Sequence, residues 1–129
     1  MVLIDTSIWI DFFQHPVTPH ADKLEALIKG HNRAMLCGIV FQEVLQGIRD
    51  NKSHAATKEH LTKFPYLDMD KEVHLAAASL YRLLRVKGIT VPSADTSIAA
   101  LAILNHIPLY TKDDHFNIIA KYTKLELYS

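Results

Sequence analysis

The sequence predicts an α/β fold in three layers, a central parallel sheet with helices on both faces, and three observations predict it. Short apolar runs recur at Val2-Leu3-Ile4, Met35-Leu36-Cys37 and Leu109-Tyr110, each too brief for a helix and bounded by polar or turn residues. The stretches between them carry apolar residues at three-to-four spacing, the period of a helix with one buried face. The chain has 129 residues, 49% of them apolar, and its four glycines and five prolines are scattered singly, so 1–129 reads as one domain without linkers or repeats.

Taken in order, the run at residues 2–4 is the first buried strand and ends on Asp5. Leu24, Leu27 and Ile28 mark the buried face of a helix, and the second strand follows at residues 35–37. Val44, Leu45 and Ile48 mark another helix face. Val73, Ala76, Ala77, Leu80, Leu83 and Leu84 form a longer one, which stops at Gly88, a residue suited to closing a helix. Pro92-Ser93 opens a helix that runs through Ile98, Leu101 and Ala102. The strand Leu109-Tyr110 comes next, and residues 125–127 read as a last edge strand.

Composition excludes several function classes. Fourteen Lys and Arg balance fourteen Asp and Glu, so a nucleic-acid partner cannot be gripped by a bulk positive field and must be met locally. Cys37 is the only cysteine, which excludes an intrachain disulfide and a multi-cysteine zinc site, and its apolar neighbours predict a buried, inert thiol in a reducing cytosol. Met1-Val2-Leu3-Ile4 meets Asp5 at once, unlike a signal peptide, and no run of about 18 apolar residues could span a bilayer. The expectation is a cytoplasmic protein without membrane contact. The histidines at 15, 20, 31, 54, 60, 74, 106 and 115 show no paired-ligand spacing and read as surface or capping residues.

The acids divide into two groups. Asp22, Glu25, Asp50, Glu59, Asp68, Asp70 and Glu72 lie in polar segments, as solvated residues or caps do. Asp5, Glu43, Asp95 and the pair Asp113-Asp114 instead follow apolar runs or open apolar helices. Singly, each reads as an N-terminal helix acid favoured by the helix dipole. Together they point elsewhere, because a parallel sheet gathers strand ends on one edge, where clustered carboxylates repel unless a cation neutralises them. Hard oxygen ligands without His or Cys at ligand spacing select Mg²⁺ or Mn²⁺ over zinc.

The residues that carry these features resemble the PIN-domain ribonucleases, and in particular the VapC-like toxins of type II toxin–antitoxin pairs. Leu3-Ile4-Asp5-Thr6-Ser7-Ile8-Trp9-Ile10-Asp11 is similar to the family's opening strand, Asp-Thr/Ser turn and first helix. Glu43-Val44-Leu45-Gln46-Gly47 resembles its Glu-x-x-x-Gly helix, and Asp95-Thr96-Ser97-Ile98-Ala99-Ala100 its Asp-x-x-Ile-Ala-Ala helix start. Thr111-Lys112-Asp113-Asp114-His115-Phe116 resembles its Thr-x-Asp-x-x-Phe. Each motif alone is weak; four in order over nearly the whole chain are specific. Two positions depart: Ser7 stands where many relatives have Asn, and Gly38 where they often have Ser or Thr.

The resemblance implies a PIN-like α/β/α fold and a metal-dependent endoribonuclease. Its catalytic and metal-holding acids would be Asp5, Glu43, Asp95 and Asp113, with Asp114 the alternative to Asp113. It implies one or two Mg²⁺ ions, with Mn²⁺ as a substitute, and water as nucleophile, leaving a 5′-phosphate and a 3′-hydroxyl. Thr111 or Thr6 would orient a water. The implied partners are RNA, a cognate VapB-like antitoxin whose Arg could enter the acidic pocket, and a second copy in a homodimer. Arg49, Lys52, Lys112, Lys121 and Lys124 are the cations available to RNA. Trp9, Phe12 and Phe13 read as helix-face packing near an antitoxin groove, and Tyr81 and Leu84 as a cleft for an antitoxin segment. A non-catalytic RNA-binding or interaction module of the same fold is the alternative. A receiver domain lacks its acidic pair here, and a haloacid-dehalogenase-type phosphatase would need an acid where Ser7 stands.

Overall fold

The computed structural model describes residues 1–14, 17–31 and 33–129, so His15 lies outside the described residues. Among these the order is β1 (Val2–Ile4), α1 (Thr6–Gln14), α2 (Pro19–Lys29), β2 (Ala34–Cys37), α3 (Gly38–Gln46), α4 (Asn51–Leu61) and β3 (Tyr66–Leu67), then α5 (Lys71–Val86), α6 (Ser93–Leu104), β4 (Leu109–Tyr110) and α7 (Asp114–Tyr122).

The four strands form one parallel sheet in the order β3-β2-β1-β4. Leu3 of β1 stands level with Met35 of β2 on one side and Leu109 of β4 on the other. Helices α1 to α4 pack as one group and α5 to α7 as another, the two helical layers that a parallel sheet requires. All residues of β1, β2 and β4 are buried, as their unbroken apolar runs predict. Helix α6 is buried from Thr96 to Ala102 and packs against α5.

Helix ends follow from short polar side chains. Thr18, Asp50, Asp70 and Asp113 accept N–H bonds at the starts of α2, α4, α5 and α7. Gly88, just after α5, has φ +79°, the left-handed conformation that its place in the sequence predicts.

Three expectations need correction. Residues 125–127 form no strand; Leu127 makes a single bridge to Leu109, fixed by Leu109 N–H donating to Glu126 at 2.9 Å and Tyr128 N–H to Leu109 at 2.8 Å. Ile48 lies beyond α3, which ends at Gln46 before Gly47. Leu84 belongs to the core at 1% exposure, so Tyr81 lines a groove without it. No helix of the described residues is long and apolar enough to cross a membrane.

Candidate active site

The chain runs from β1 to β2 on one side, while β4 pairs with β1 on the other, so the strand order reverses beside β1. In an open parallel sheet a ligand crevice forms at such a reversal, beyond the carboxyl ends of the strands. Asp5 follows β1 at that edge, and Thr111 and Asp113 follow β4. Asp95 arrives from the first turn of α6 and Glu43 from the middle of α3, the helix after β2.

Asp5 is 5% exposed. Its Oδ2 accepts from the Ser7 hydroxyl at 2.8 Å, the Thr111 hydroxyl at 2.8 Å and the Ser7 N–H at 3.4 Å; none of these three bonds uses Oδ1. Burial pushes the Asp5 pKa up, and the hydroxyl bonds pull against that rise. The Ser7 departure thus leaves a side-chain donor to Asp5 in place. At Gly38 an added Cβ would lie 2.9 Å from the Tyr66 hydroxyl, so a larger residue there requires that hydroxyl to move.

Thr111 also accepts from the Asp113 N–H at 3.0 Å, which joins the two acids through one hydroxyl. Thr6 donates to Glu43 Oε1 at 2.8 Å. Both threonines expected to orient a water are therefore engaged in orienting carboxylates. Asp95 is pushed up to about 6, first by burial, then by the Asp113 charge with a smaller push from Asp5, against the hydrogen bond from His115. Burial raises Cys37 to about 11, with smaller pushes from the charges of Asp5 and Glu43, so the buried thiol stays protonated near neutral pH.

Asp113 and Asp114 part company. Asp113 Oδ1 accepts the His115 N–H at 3.0 Å and faces the cluster, while Asp114 is exposed and accepts from the Asn117 amide at 3.2 Å. His115 keeps a partly exposed side chain, as a surface or capping residue would, yet its Nδ1 lies 2.9 Å from Asp95 Oδ2 and 3.3 Å from Asp113 Oδ1. Its position two residues after a strand-end acid was the available signal. Sequence reasoning also missed Asp11, a buried acid whose Oδ1 meets Lys112 Nζ at 2.6 Å. That pair ties the loop between Thr111 and Asp113 to α1.

A cleft of about 310 Å³ opens beside Glu43, lined also by Gln42, Gln46, Ser93 and Ser97. Ser93 and Ser97 also line a groove of about 390 Å³ along α5, with His74, Tyr81, Arg82 and Arg85. Trp9 is fully buried and packs against Phe12, Phe13 and Phe64, and its Nε1 finds no acceptor among the described residues. Phe12 and Phe13 line a shallow cleft with Ala56, Thr57 and His60.

The donor set is rich in carboxylate oxygens, and Asp5 and Asp95 sit where ionisation is resisted. A hard divalent cation relieves both the repulsion and the lost hydration, so these residues fit Mg²⁺ or Mn²⁺.

The PIN domain family matches residues 2–122 of this chain. A VapC ribonuclease of Mycobacterium bovis is 33% identical over 98% of this chain and 96% of its own length. Ribonuclease VapC1 of Methanocaldococcus jannaschii is 28% identical over 94% of this chain and 82% of its own. Among solved structures, the VapBC2 complex of Rickettsia felis bound to a promoter DNA fragment holds a chain of like fold, with TM-score 0.82 and 21% identity over 99% of this chain and 98% of that one.

Proposed function

Because this chain belongs to the PIN-domain family, we propose that it is a metal-dependent endoribonuclease, a toxin of the VapC kind that hydrolyses RNA phosphodiesters and is held in check by a VapB-like antitoxin. The observation that supports the reading is the chain of contacts at the strand reversal, where Thr111 links Asp5 to Asp113 and His115 links Asp113 to Asp95. The cation supplies, when bound, an acidified water and positive charge against the phosphate.

The chain's own residues do the rest. Asp5 and Asp95 would hold Mg²⁺, or Mn²⁺ in its place, and Glu43 and Asp113 would complete the cage. Ser7 and Thr111 fix one oxygen of Asp5, and Thr6 fixes Glu43, so the carboxylates are oriented before the ion arrives. The α3–α6 cleft beside Glu43 gives an RNA strand its approach, and Arg82 and Arg85 in the adjoining groove offer local positive charge.

The half-buried Phe12 and Phe13 suit the apolar face of an antitoxin helix, and an antitoxin Arg would compete with the cation for the acids. The exposed Leu75, Leu83 and Val86 of α5 suit a second copy of the chain. Residues 1–129 act as one domain, in the cytoplasm.

The test is incubation of the partner-free protein with labelled total RNA, with Mg²⁺, with Mn²⁺ and with chelator, beside Asp5→Asn. Discrete fragments that need both metal and Asp5 are expected, with a loss of about a thousandfold or more in the variant. Equal cleavage by Asp5→Asn rejects the assignment.

A further inference from the structure

We propose that His115 is a nitrogen ligand of the cation held by Asp95 and Asp113, and that it biases the centre toward Mn²⁺ over Mg²⁺. The inference rests on the carboxylate reading above and adds a donor of another chemical type. The donor atoms of Asp95, Asp113 and His115 all lie within 4.8 Å of one another. Adjacent ligands of an octahedral ion with bonds of about 2.1 Å are separated by about 3.0 Å. Nδ1 of His115 stands 2.9 Å from Asp95 Oδ2 and 3.3 Å from Asp113 Oδ1, both close to that edge length.

The ring is placed by the backbone. His115 lies in the first turn of α7, and its own N–H donates to Asp113 Oδ1 at 3.0 Å. The side chain is 44% exposed, so Nε2 can carry the proton toward water while the Nδ1 lone pair faces the two carboxylates. Without a cation Nδ1–H donates to Asp95; a cation between the carboxylates favours the other tautomer, with the proton on Nε2 and the Nδ1 lone pair coordinating the ion. Imidazole suits transition ions better than Mg²⁺, which keeps to oxygen. The rival role is positional, with Nδ1–H donating to Asp95, and it puts no nitrogen on the ion.

Mn²⁺ binding to the full-length, partner-free chain, followed by electron paramagnetic resonance, separates the two. The expected result is a ¹⁴N coupling of directly bound imidazole that disappears in His115→Asn, with Mn²⁺ affinity lowered about tenfold and Mg²⁺ affinity nearly unchanged. Asn is chosen because its amide keeps a hydrogen bond to Asp95 and offers only oxygen to a metal; circular dichroism checks that the variant folds. Mn²⁺ bound without ¹⁴N coupling, or with a coupling that survives His115→Asn, overturns the proposal and leaves the carboxylate reading standing. Failure of the wild-type chain to bind Mn²⁺ at all overturns both.

Discussion

Asp50 and Asp95 both stand at the start of a helix, and the protein treats their charges in opposite ways. Asp50 is fully exposed and accepts the Ser53 N–H at 2.8 Å, a bond that lowers its pKa because only the ionised form accepts so well. Asp95 has the same favourable helix dipole, yet burial and the charge of Asp113 raise it to about 6. One acid serves the helix it begins. The other is held ionisable against its surroundings, which is how a ligand site differs from a cap.

The sharpest way to break that comparison is to neutralise both. Asp95→Asn should lower metal-dependent RNA cleavage about a thousandfold or more, whereas Asp50→Asn, which keeps a good capping side chain, should cleave at the wild-type rate. Matching rates for the two variants in a gel-based cleavage assay would remove the distinction. A smaller effect is expected at the ion pair of Asp11 and Lys112. Lys112→Met leaves a buried carboxylate without its donor and should cost about 1–2 kcal/mol in urea unfolding, discounted because the lysine is partly exposed. Adding Asp11→Leu should recover part of that loss, since no charge is then left buried. An unchanged unfolding midpoint in Lys112→Met would mean that the pair does not anchor the loop.

The same contrast explains what the sequence made legible. β1, β2, β4, α5 and α6 announce themselves by apolar runs or a stripe, because burial dictated most of their residues; in α5 it holds Val73, Ala77, Leu80 and Leu84, while Leu83 of the same stripe is exposed. Helix α4 does not, since only Thr57 and Leu61 of its residues are buried. Strand β3 has two residues at the sheet edge, too few for a pattern, and α7 shows only Phe116 and Ile119 to the core. In the site, Asp5, Glu43, Asp95 and Asp113 stand out because acids beside apolar runs are unusual. The roles of Thr111 and His115 depend on contacts with residues 106 and 20 positions away, which no local pattern encodes, whereas Ser7 reaches Asp5 only two positions back. The resemblance favours Asp113 with Asp114 as the alternative, and the turn into α7 gives the two acids different partners.

Stability depends on pH through the two raised carboxyls, Asp5 and Asp95. Between the ordinary carboxylate value of 3.8 and about 6, native Asp95 keeps a proton that the unfolded chain has released. The native state then binds more protons, so the contribution of Asp95 to stability is present at low pH and is lost as pH rises through about 6; Asp5, also raised, acts in the same direction. A cation competes with those protons and binds only the native site, so the stabilisation it gives must grow over the same range. The most direct measurement is the melting temperature from pH 5 to 7.5, with and without saturating Mn²⁺, for the wild type and Asp95→Asn. The predicted result is a Mn²⁺-induced rise that widens from pH 5 through about 6 and then levels off in the wild type, and is nearly absent in Asp95→Asn. A rise that is independent of pH, or equal in the two proteins, would contradict the claim that these carboxylates hold the ion.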